Sequence, residues 1–263
     1  MKTLAVEGVG LMAPGLAGWI TSQAVLAGEQ PYTVQPMPAT IATLLPANER
    51  RRTTITVKLA LQVAQEAMAV VSPDAGTVRT VFASSGGDSE VLDKICTALT
   101  QPDRPVSPTH FHHSVHNTPA GYWSIATRCR QPSLSLCAYD GSFAAGLQEA
   151  AALAWADQAR VLLVAYDLPL PFPLAEHRTI VAPFGVALLL NPVTTSQRLT
   201  LLRLSPGVAE SADRLDDAGL ERLRAGNPAA RSLPLLRAIA RRWAGRVVLP
   251  AGAAAVCRVD VEP

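Results

Sequence analysis

A short segment between two apolar stretches holds the residue types best suited to chemistry in this chain. Cys137, Asp140 and Ser142 follow the run Ser133–Leu136 and precede an alanine-rich stretch. A buried strand that turns directly into a helix would place such side chains at the helix N-terminus. Free backbone N–H groups and the helix macrodipole favour a thiolate or a carboxylate there, so the segment suits a nucleophile or a base.

The elements that must position this segment alternate between helix and strand. The pattern predicts a helix at 142–159 and an apolar strand immediately afterwards, at 161–165. Such alternation is typical of parallel βαβ units with helices on both faces of a sheet, so the predicted fold class is α/β. The remaining predictions are strands at 4–11, 78–84, 181–190, 199–204, 246–249 and 255–261, helices at 49–71, 89–100, 117–127 and 233–243, and loops at 101–115 and 206–227, the second with a short helix.

Composition favours a soluble, well-packed protein. The 263 residues are 49% hydrophobic and 17% charged, which is enough to build the core of a single domain, 1–263. A net charge of +2 gives no reason to expect binding to nucleic acid. No apolar run reaches the ~20 residues of a membrane span, and the start of the chain does not resemble a signal peptide. A cytoplasmic protein is therefore predicted.

Neither the cysteines nor the histidines have the spacing of a metal site. The four cysteines show no C-x-x-C pair, which also argues against a disulfide framework. Four of the five histidines lie in the segment 109–116 (THFHHSVH), but no carboxylate or cysteine accompanies them. We predict no metal, and a polar loop packed against a partner is one interpretation of this segment. The segment 84–88 (SSGGD) matches neither G-x-S-x-G nor a phosphate-binding loop, and a turn is predicted there.

Five further segments have the order and spacing of one known family. They resemble its opening strand and glycine turn, its next glycine turn, its Asn-x-x-Ala-Gly helix, its Gly-Pro-Ser strand and its Pro-Phe pair. In chain order they are 6–14, 84–87, 117–121, 131–135 and 183–184. Together with the turn at Asp140, they resemble the condensing enzymes, the β-ketoacyl synthases of the thiolase-like superfamily. Two departures are Gln131 in place of the glycine and the absence of Arg-Asp-Gly-Phe after Phe184.

The resemblance implies a thiolase-like fold without the family's catalytic groups. Counted back without gaps from the strand 161–165, Asp140 stands where the family has its cysteine, and Cys137 is three residues too early. The family's second half carries two histidines, but the last histidine here is His177. The layout corresponds to the N-terminal half, 1–205, with a divergent tail, 206–263. We therefore expect no condensation by the chain alone.

The resemblance also implies a task and a set of residues. Chain-length factors, including the small ones of bacterial aryl polyene biosynthesis, pair with an active β-ketoacyl synthase, receive acyl carrier protein through that complex, and need no cofactor. The implied heterodimer would use the loop after Pro108 as a wall of the acyl tunnel. The expected pseudo-active-site residues are Asp140, Gly141, Ser142 and Phe143, and the expected tunnel and interface residues are Thr109, His110, Phe111, His112, His113 and Asn117.

Several alternatives remain open at this point. The chain could be an independent enzyme that uses Cys137 or Asp140, or a binding module without a ketosynthase. Asp140 could serve only as the N-cap of the following helix, with Tyr139 and Phe143 in the core. The basic runs 50–52 and 241–243 could be solvated faces or could dock an acidic carrier protein. Apolar residues at 120–136 are expected to be exposed and to make the isolated chain self-associate.

Overall fold

The computed structural model describes residues 2–69, 74–193 and 196–263, and these form one mixed sheet of nine strands. The strand order is β4-β3-β5-β6-β1-β7-β9-β8, with the short β2 paired to β1. The strands are β1 (Leu4–Ala13), β2 (Leu16–Ala17), β3 (Arg79–Ala83), β4 (Ser133–Leu136), β5 (Val161–Asp167), β6 (Phe184–Asn191), β7 (Thr200–Val208), β8 (Gly245–Pro250) and β9 (Ala255–Glu262).

Helices cover both faces of the sheet, which confirms the predicted α/β class. The helices are α1 (Trp19–Ala27), α2 (Ala47–Arg52), α3 (Ile55–Ala69), α4 (Ser89–Leu99), α5 (Pro108–His113), α6 (Thr118–Thr127), α7 (Ser142–Asp157), α8 (Leu174–His177), α9 (Ala218–Gly226) and α10 (Leu233–Ala240). In the central strand β5, Leu163 faces the core under α7, and its neighbours Leu162 and Val164 face the core under α3. A strand buried on both faces is a continuous apolar run.

The sheet is less parallel than the alternation of elements suggested. Only β3 pairs in parallel, with β4 and with β5, whereas β5 pairs with β6 in antiparallel fashion, with Asp167 opposite Phe184. The connection between those two strands contains only the single-turn helix α8, so the chain returns at the end of the sheet that it has just left. A parallel neighbour would need a longer crossover to the opposite end.

Two predicted boundaries are wrong for local reasons. The helix predicted at 49–71 is divided into α2 and α3, because Thr53 is extended with φ −77° and ψ 152°. Its predicted end at 71 lies outside the described residues. The loop predicted at 101–115 contains α5, which begins after Ser107 with Pro108 in its first turn.

The tail continues the same sheet. Strands β8 and β9 confirm the predicted strands at 246–249 and 255–261, and β9 pairs with β7 along its whole length. The expected boundary between 205 and 206 falls within β7. None of the helices in the described ranges combines the length and the apolar character needed to cross a bilayer.

Candidate functional site

The predicted strand-to-helix turn is present at Asp140. β4 ends at Leu136, a single 3-10 turn covers Tyr139–Gly141, and α7 begins at Ser142. The turn is tight, and Tyr139 adopts φ +50°, a conformation that non-glycine residues rarely take. Ser142 holds it closed, because its Oγ donates to the Tyr139 carbonyl at 2.6 Å and accepts from the Ala138 N–H at 3.0 Å.

The carboxylate of Asp140 is held by two arginines. Arg178 Nη2 donates to Oδ1 at 2.9 Å, and Arg231 Nη2 donates to Oδ2 at 2.7 Å. The Arg178 guanidinium also lies over the Tyr139 ring, 3.9 Å from its centroid. The interpretation of Asp140 as a helix cap is wrong: the residue at the N-cap is Gly141, and no side chain caps the helix. The charged guanidinium groups are stronger partners for the carboxylate than backbone N–H groups are.

The residues on either side of Asp140 have opposite environments. Phe143 is buried in the core, as its apolar character predicted. Tyr139 is 61% exposed, which contradicts the core interpretation, because the turn and the cation–π contact hold its ring at the surface.

Cys137 is close to the turn but is directed elsewhere. It lies at the end of β4, before the turn, and its thiol donates to the backbone carbonyl of Ser85 at 3.2 Å. The helix N-terminus that would stabilise a thiolate begins only at Ser142. The group next to the N-terminus of α7 is therefore the carboxylate of Asp140 and not the thiol of Cys137.

The tail of the chain packs directly onto this turn. A Cβ atom at Gly141 would lie 2.6 Å from the Ala251 carbonyl oxygen, so a side chain has no space there. Arg231, one of the two partners of Asp140, lies in the 3-10 turn Ala229–Ser232 of the tail. The turn is thus covered by Arg231, from the 3-10 turn before α10, and by the backbone of Ala251, which follows β8.

A second polar group next to the turn was missed from sequence. The buried Asp167 carboxylate, at the end of β5, accepts from Ser85 Oγ at 2.6 Å, from Ser85 N–H at 2.8 Å and from Ser84 Oγ at 3.2 Å. Burial is the main reason that the pKa of Asp167 is raised to about 6, and the bonds from the serines oppose that shift. A polar residue that ends an apolar strand was the available signal.

The histidine segment divides between core and surface. His113 is buried against the Tyr122 hydroxyl, at 2.9 Å from its Nε2, and its pKa is lowered mainly by burial. Phe111 is 67% exposed, whereas His110 is half-buried.

The other residues of the expected interface set lie at the surface. Thr109, His112 and Asn117 are exposed, and Asn117 occupies the N-cap position of α6 without a capping side-chain bond. His116, which was not in that set, donates from Nε2 to the Ser84 carbonyl at 3.1 Å. Within the described ranges, no three histidine, cysteine or acidic side chains are grouped as metal ligands.

The chemistry available at the turn follows from these contacts. Each oxygen of the Asp140 carboxylate accepts a hydrogen bond from a guanidinium group, an arrangement that suits a structural ion pair better than a base or a nucleophile. Its side chain is 41% exposed, so the ion pairs lie at the surface rather than in the core.

Comparison with known proteins places this geometry in a family. Residues 23–245 match the family model for the β-ketoacyl synthase N-terminal domain. None of the curated proteins matches the chain. The structure resembles a chain in the complex of the ketosynthase ApeO with its chain length factor ApeC from Xenorhabdus doucetiae. The TM-score is 0.76 and the sequence identity is 23%, and the match covers 98% of this chain and 99% of that chain.

Two other solved structures show the same fold at lower identity. One is a chain in the AntDE:AntF complex of a type II polyketide synthase acyl-carrier protein with its ketosynthase, with a TM-score of 0.75, 11% identity and 99% of each chain covered. The other is a β-ketoacyl synthase from Burkholderia phymatum STM815, with a TM-score of 0.62 and 14% identity. That match covers 92% of this chain and 71% of the synthase chain. The chain belongs to the β-ketoacyl synthase family, as the resemblance predicted.

Proposed function

We propose that this chain is a non-catalytic chain-length factor that pairs with an active β-ketoacyl synthase and shapes its acyl tunnel. The observation that carries the proposal is the ion-paired Asp140 at the strand-to-helix turn, where a condensing enzyme would need a reactive thiolate. The thiol of Cys137, three residues before Asp140, lies outside the helix N-terminus and donates to the Ser85 carbonyl.

The free edge of the sheet supports the pairing. Among the described residues, β4 pairs on one side only, with β3, and the carbonyls of Pro132 and Leu136 accept from the N–H groups of Thr80 and Ser84. The backbone groups of Ser133 and Ser135 therefore point outwards, since successive residues of a strand point to opposite sides. Leu134 on this strand is 41% exposed. Exposed apolar side chains next to an unpaired edge favour a partner strand.

Helix α5 supplies the proposed tunnel wall. Phe111 and Val115 are exposed by 67% and 51%, and the fold places them on the segment that leads into α6 and β4. His110 lies beside Phe111 and is half-buried. We propose that Phe111 and His110 limit the length of the acyl chain held by the partner, because a filled apolar tunnel does not accept an added carbon without overpacking.

The proposed pathway is polyketide or aryl polyene biosynthesis, in which an acyl carrier protein delivers thioesters to the complex. The structural neighbours named above support this, since one is a ketosynthase with its chain length factor and another includes an acyl-carrier protein. A cytoplasmic location is part of the proposal, supported by the four cysteines, which are all free thiols.

The decisive experiment is co-expression of the chain with a β-ketoacyl synthase encoded in the same genome, followed by affinity purification. A stable heterodimer that condenses malonyl thioesters, together with an isolated chain that forms no acyl adduct in intact-mass analysis, is the expected result. An acyl adduct on Cys137 or Asp140 of the isolated chain would favour an independent enzyme instead. Failure to co-purify would favour a binding module of another kind.

The tunnel residues are tested in the same reconstituted complex. Phe111→Ala and His110→Ala should lengthen the product or broaden its length distribution, and Phe111→Trp should shorten it, at a similar condensation rate. Leu92→Ala, at an exposed apolar residue of α4 outside the proposed tunnel, is the control. Unchanged products in all variants, with the heterodimer intact, would show that α5 is interface alone.

A further inference from the structure

A groove of about 610 Å³ opens at the end of the sheet where β1 and β5 end and β6 begins. Its walls are the extended segment after α1, the residues that lead into β6, and α9. The strands that border it, β5, β6 and β1, are two, three and four positions from β4 in the sheet order, so the groove is separate from the proposed partner surface. Four prolines line it, namely Pro14, Pro36, Pro169 and Pro183.

Hydrogen bonds fix the segments that form the walls of this groove. Tyr32 Oη donates to the Pro14 carbonyl at 2.8 Å, and the Gly15 N–H donates to the Gln35 carbonyl at 3.0 Å. On the opposite side, the Val181 N–H donates to the Gly226 carbonyl at 3.0 Å. Fixed φ angles at the prolines add rigidity, so the groove exists before any ligand binds.

The close approach of α9 depends on a glycine. A Cβ atom at Gly219 would lie 2.6 Å from the Tyr32 ring, so only glycine lets the helix pack against that ring. The same packing leaves Leu223 and Arg222 of α9 lining the groove.

The lining combines apolar surface with one unpaired cation. Val34 and Val181, which line the groove, are exposed by 74% and 40% and offer apolar surface to a ligand. The side chain of Arg222 forms no hydrogen bond or ion pair with any described residue, whereas the side chain of Arg224 on the same helix is paired with Glu221. A free guanidinium at an apolar groove is a partner for one anionic group.

We propose that the groove binds an amphipathic carboxylate, with its apolar chain along Val34 and Val181 and its head group on Arg222. The volume lies within the range of about 300–1,000 Å³ of small-molecule sites. An extended peptide fits less well, because proline walls lack the N–H donors that bind a peptide backbone. This binding is independent of the pairing with a ketosynthase.

The test uses a diazirine derivative of dodecanoic acid as a photoreactive probe on the full chain, below its micellar concentration. Crosslinks are expected in the peptides that contain Val34 and Val181, competed by dodecanoic acid and not by dodecan-1-ol. Arg222→Ala should weaken binding about tenfold, consistent with loss of a charge-assisted hydrogen bond. Val181→Trp, which fills the groove, should abolish the crosslinks. The control Arg130→Ala, on an exposed arginine before β4, should leave them unchanged.

Three results would overturn the proposal. Crosslinks spread over the chain, or equal competition by dodecan-1-ol with no effect of Arg222→Ala, would show that no head-group site exists. Loss of ketosynthase co-purification in Val181→Trp, without specific crosslinks in the wild type, would show that a protein covers the groove. Since the same samples report heterodimer formation separately, failure here is distinguishable from failure of the proposed function.

Discussion

The two edges of the nine-stranded sheet end in different ways. At β8, the Val248 N–H donates to Asp213 Oδ2 at 2.9 Å, and the Asp213 N–H donates back to the Val248 carbonyl at 2.9 Å. β8 then ends in Pro250, which has no N–H to offer. At β4, the outward backbone groups of Ser133 and Ser135 meet no strand of the described chain.

This difference indicates which edge is available for pairing with another chain. An open edge promotes pairing with other chains, and proteins that must avoid this cover it with loops, prolines or charges. The tail supplies such a cover for β8 through Asp213 and Pro250, and nothing equivalent covers β4 within the described ranges. The partner surface proposed above is therefore the uncovered one.

The largest effect is expected from blocking the β4 edge. Ser135→Pro removes an outward N–H without removing a bond to β3, and should weaken the heterodimer about 100-fold in affinity through lost strand pairing. Leu134→Asp, which places a charge on the same edge, should act similarly. Sedimentation or titration calorimetry of the purified pair measures the change.

The matched control for that experiment lies on the other edge. Arg246→Pro removes an outward N–H from β8 and should leave affinity unchanged. If Ser135→Pro and Arg246→Pro weaken the heterodimer equally, the β4 edge is no more important for pairing than the β8 edge. Circular dichroism checks that each variant is folded.

The stability of the fold should depend on pH through Asp167 on β5, which lies between the two edge strands. The pKa of Asp167 is about 6 when folded, against 3.8 for an ordinary aspartate, so the folded state holds its proton more tightly. Its contribution to stability is present at acidic pH and is lost as the pH rises from about 4 to about 6, by up to about 3 kcal/mol. Asp167→Asn should gain stability relative to wild type over that range, measured by urea unfolding at a series of pH values. A pH-independent difference would contradict the raised pKa.

Asp140 connects the turn after β4 to the tail of the chain through its ion pair with Arg231. Asp140→Ala leaves Arg178 and Arg231 without their shared anion, and should lower the free energy of unfolding by about 1–2 kcal/mol, because the pairs are only partly buried. The double variant Asp140→Ala/Arg231→Ala should recover part of this loss, which a simple loss of helix capping would not allow. Thermal unfolding of the three proteins provides the measurement.

The smallest effect is expected from uncovering β8. Asp213→Ala removes the side-chain acceptor of the Val248 N–H and should cost about 1 kcal/mol. It should also increase concentration-dependent self-association, because an edge donor becomes free. Light scattering over a dilution series reports this, and Asp216→Ala is a matched control on the same loop. If Asp213→Ala self-associates no more than Asp216→Ala does, Asp213 does not protect the edge.

Local patterns in the chain predicted much of this structure. The turn between β4 and α7 followed from an apolar run next to an alanine-rich one, and the strands β8 and β9 of the tail followed from apolar runs of similar length. Such signals lie within a few residues of each other, where side-chain periodicity decides between helix and strand. The break at Thr53 and the helix α5 were missed because both are shorter than the window in which periodicity can be seen.

The sequence by itself determined most of the element types, the family, and the presence of an aspartate at the turn. Only the tertiary structure decided what that aspartate does, because its partners Arg178 and Arg231 lie 38 and 91 residues away along the chain. The same holds for Asp213 at the β8 edge, 35 residues from Val248. Contacts of this range depend on the order of strands and on how the tail folds back, and no local pattern of residue types encodes either.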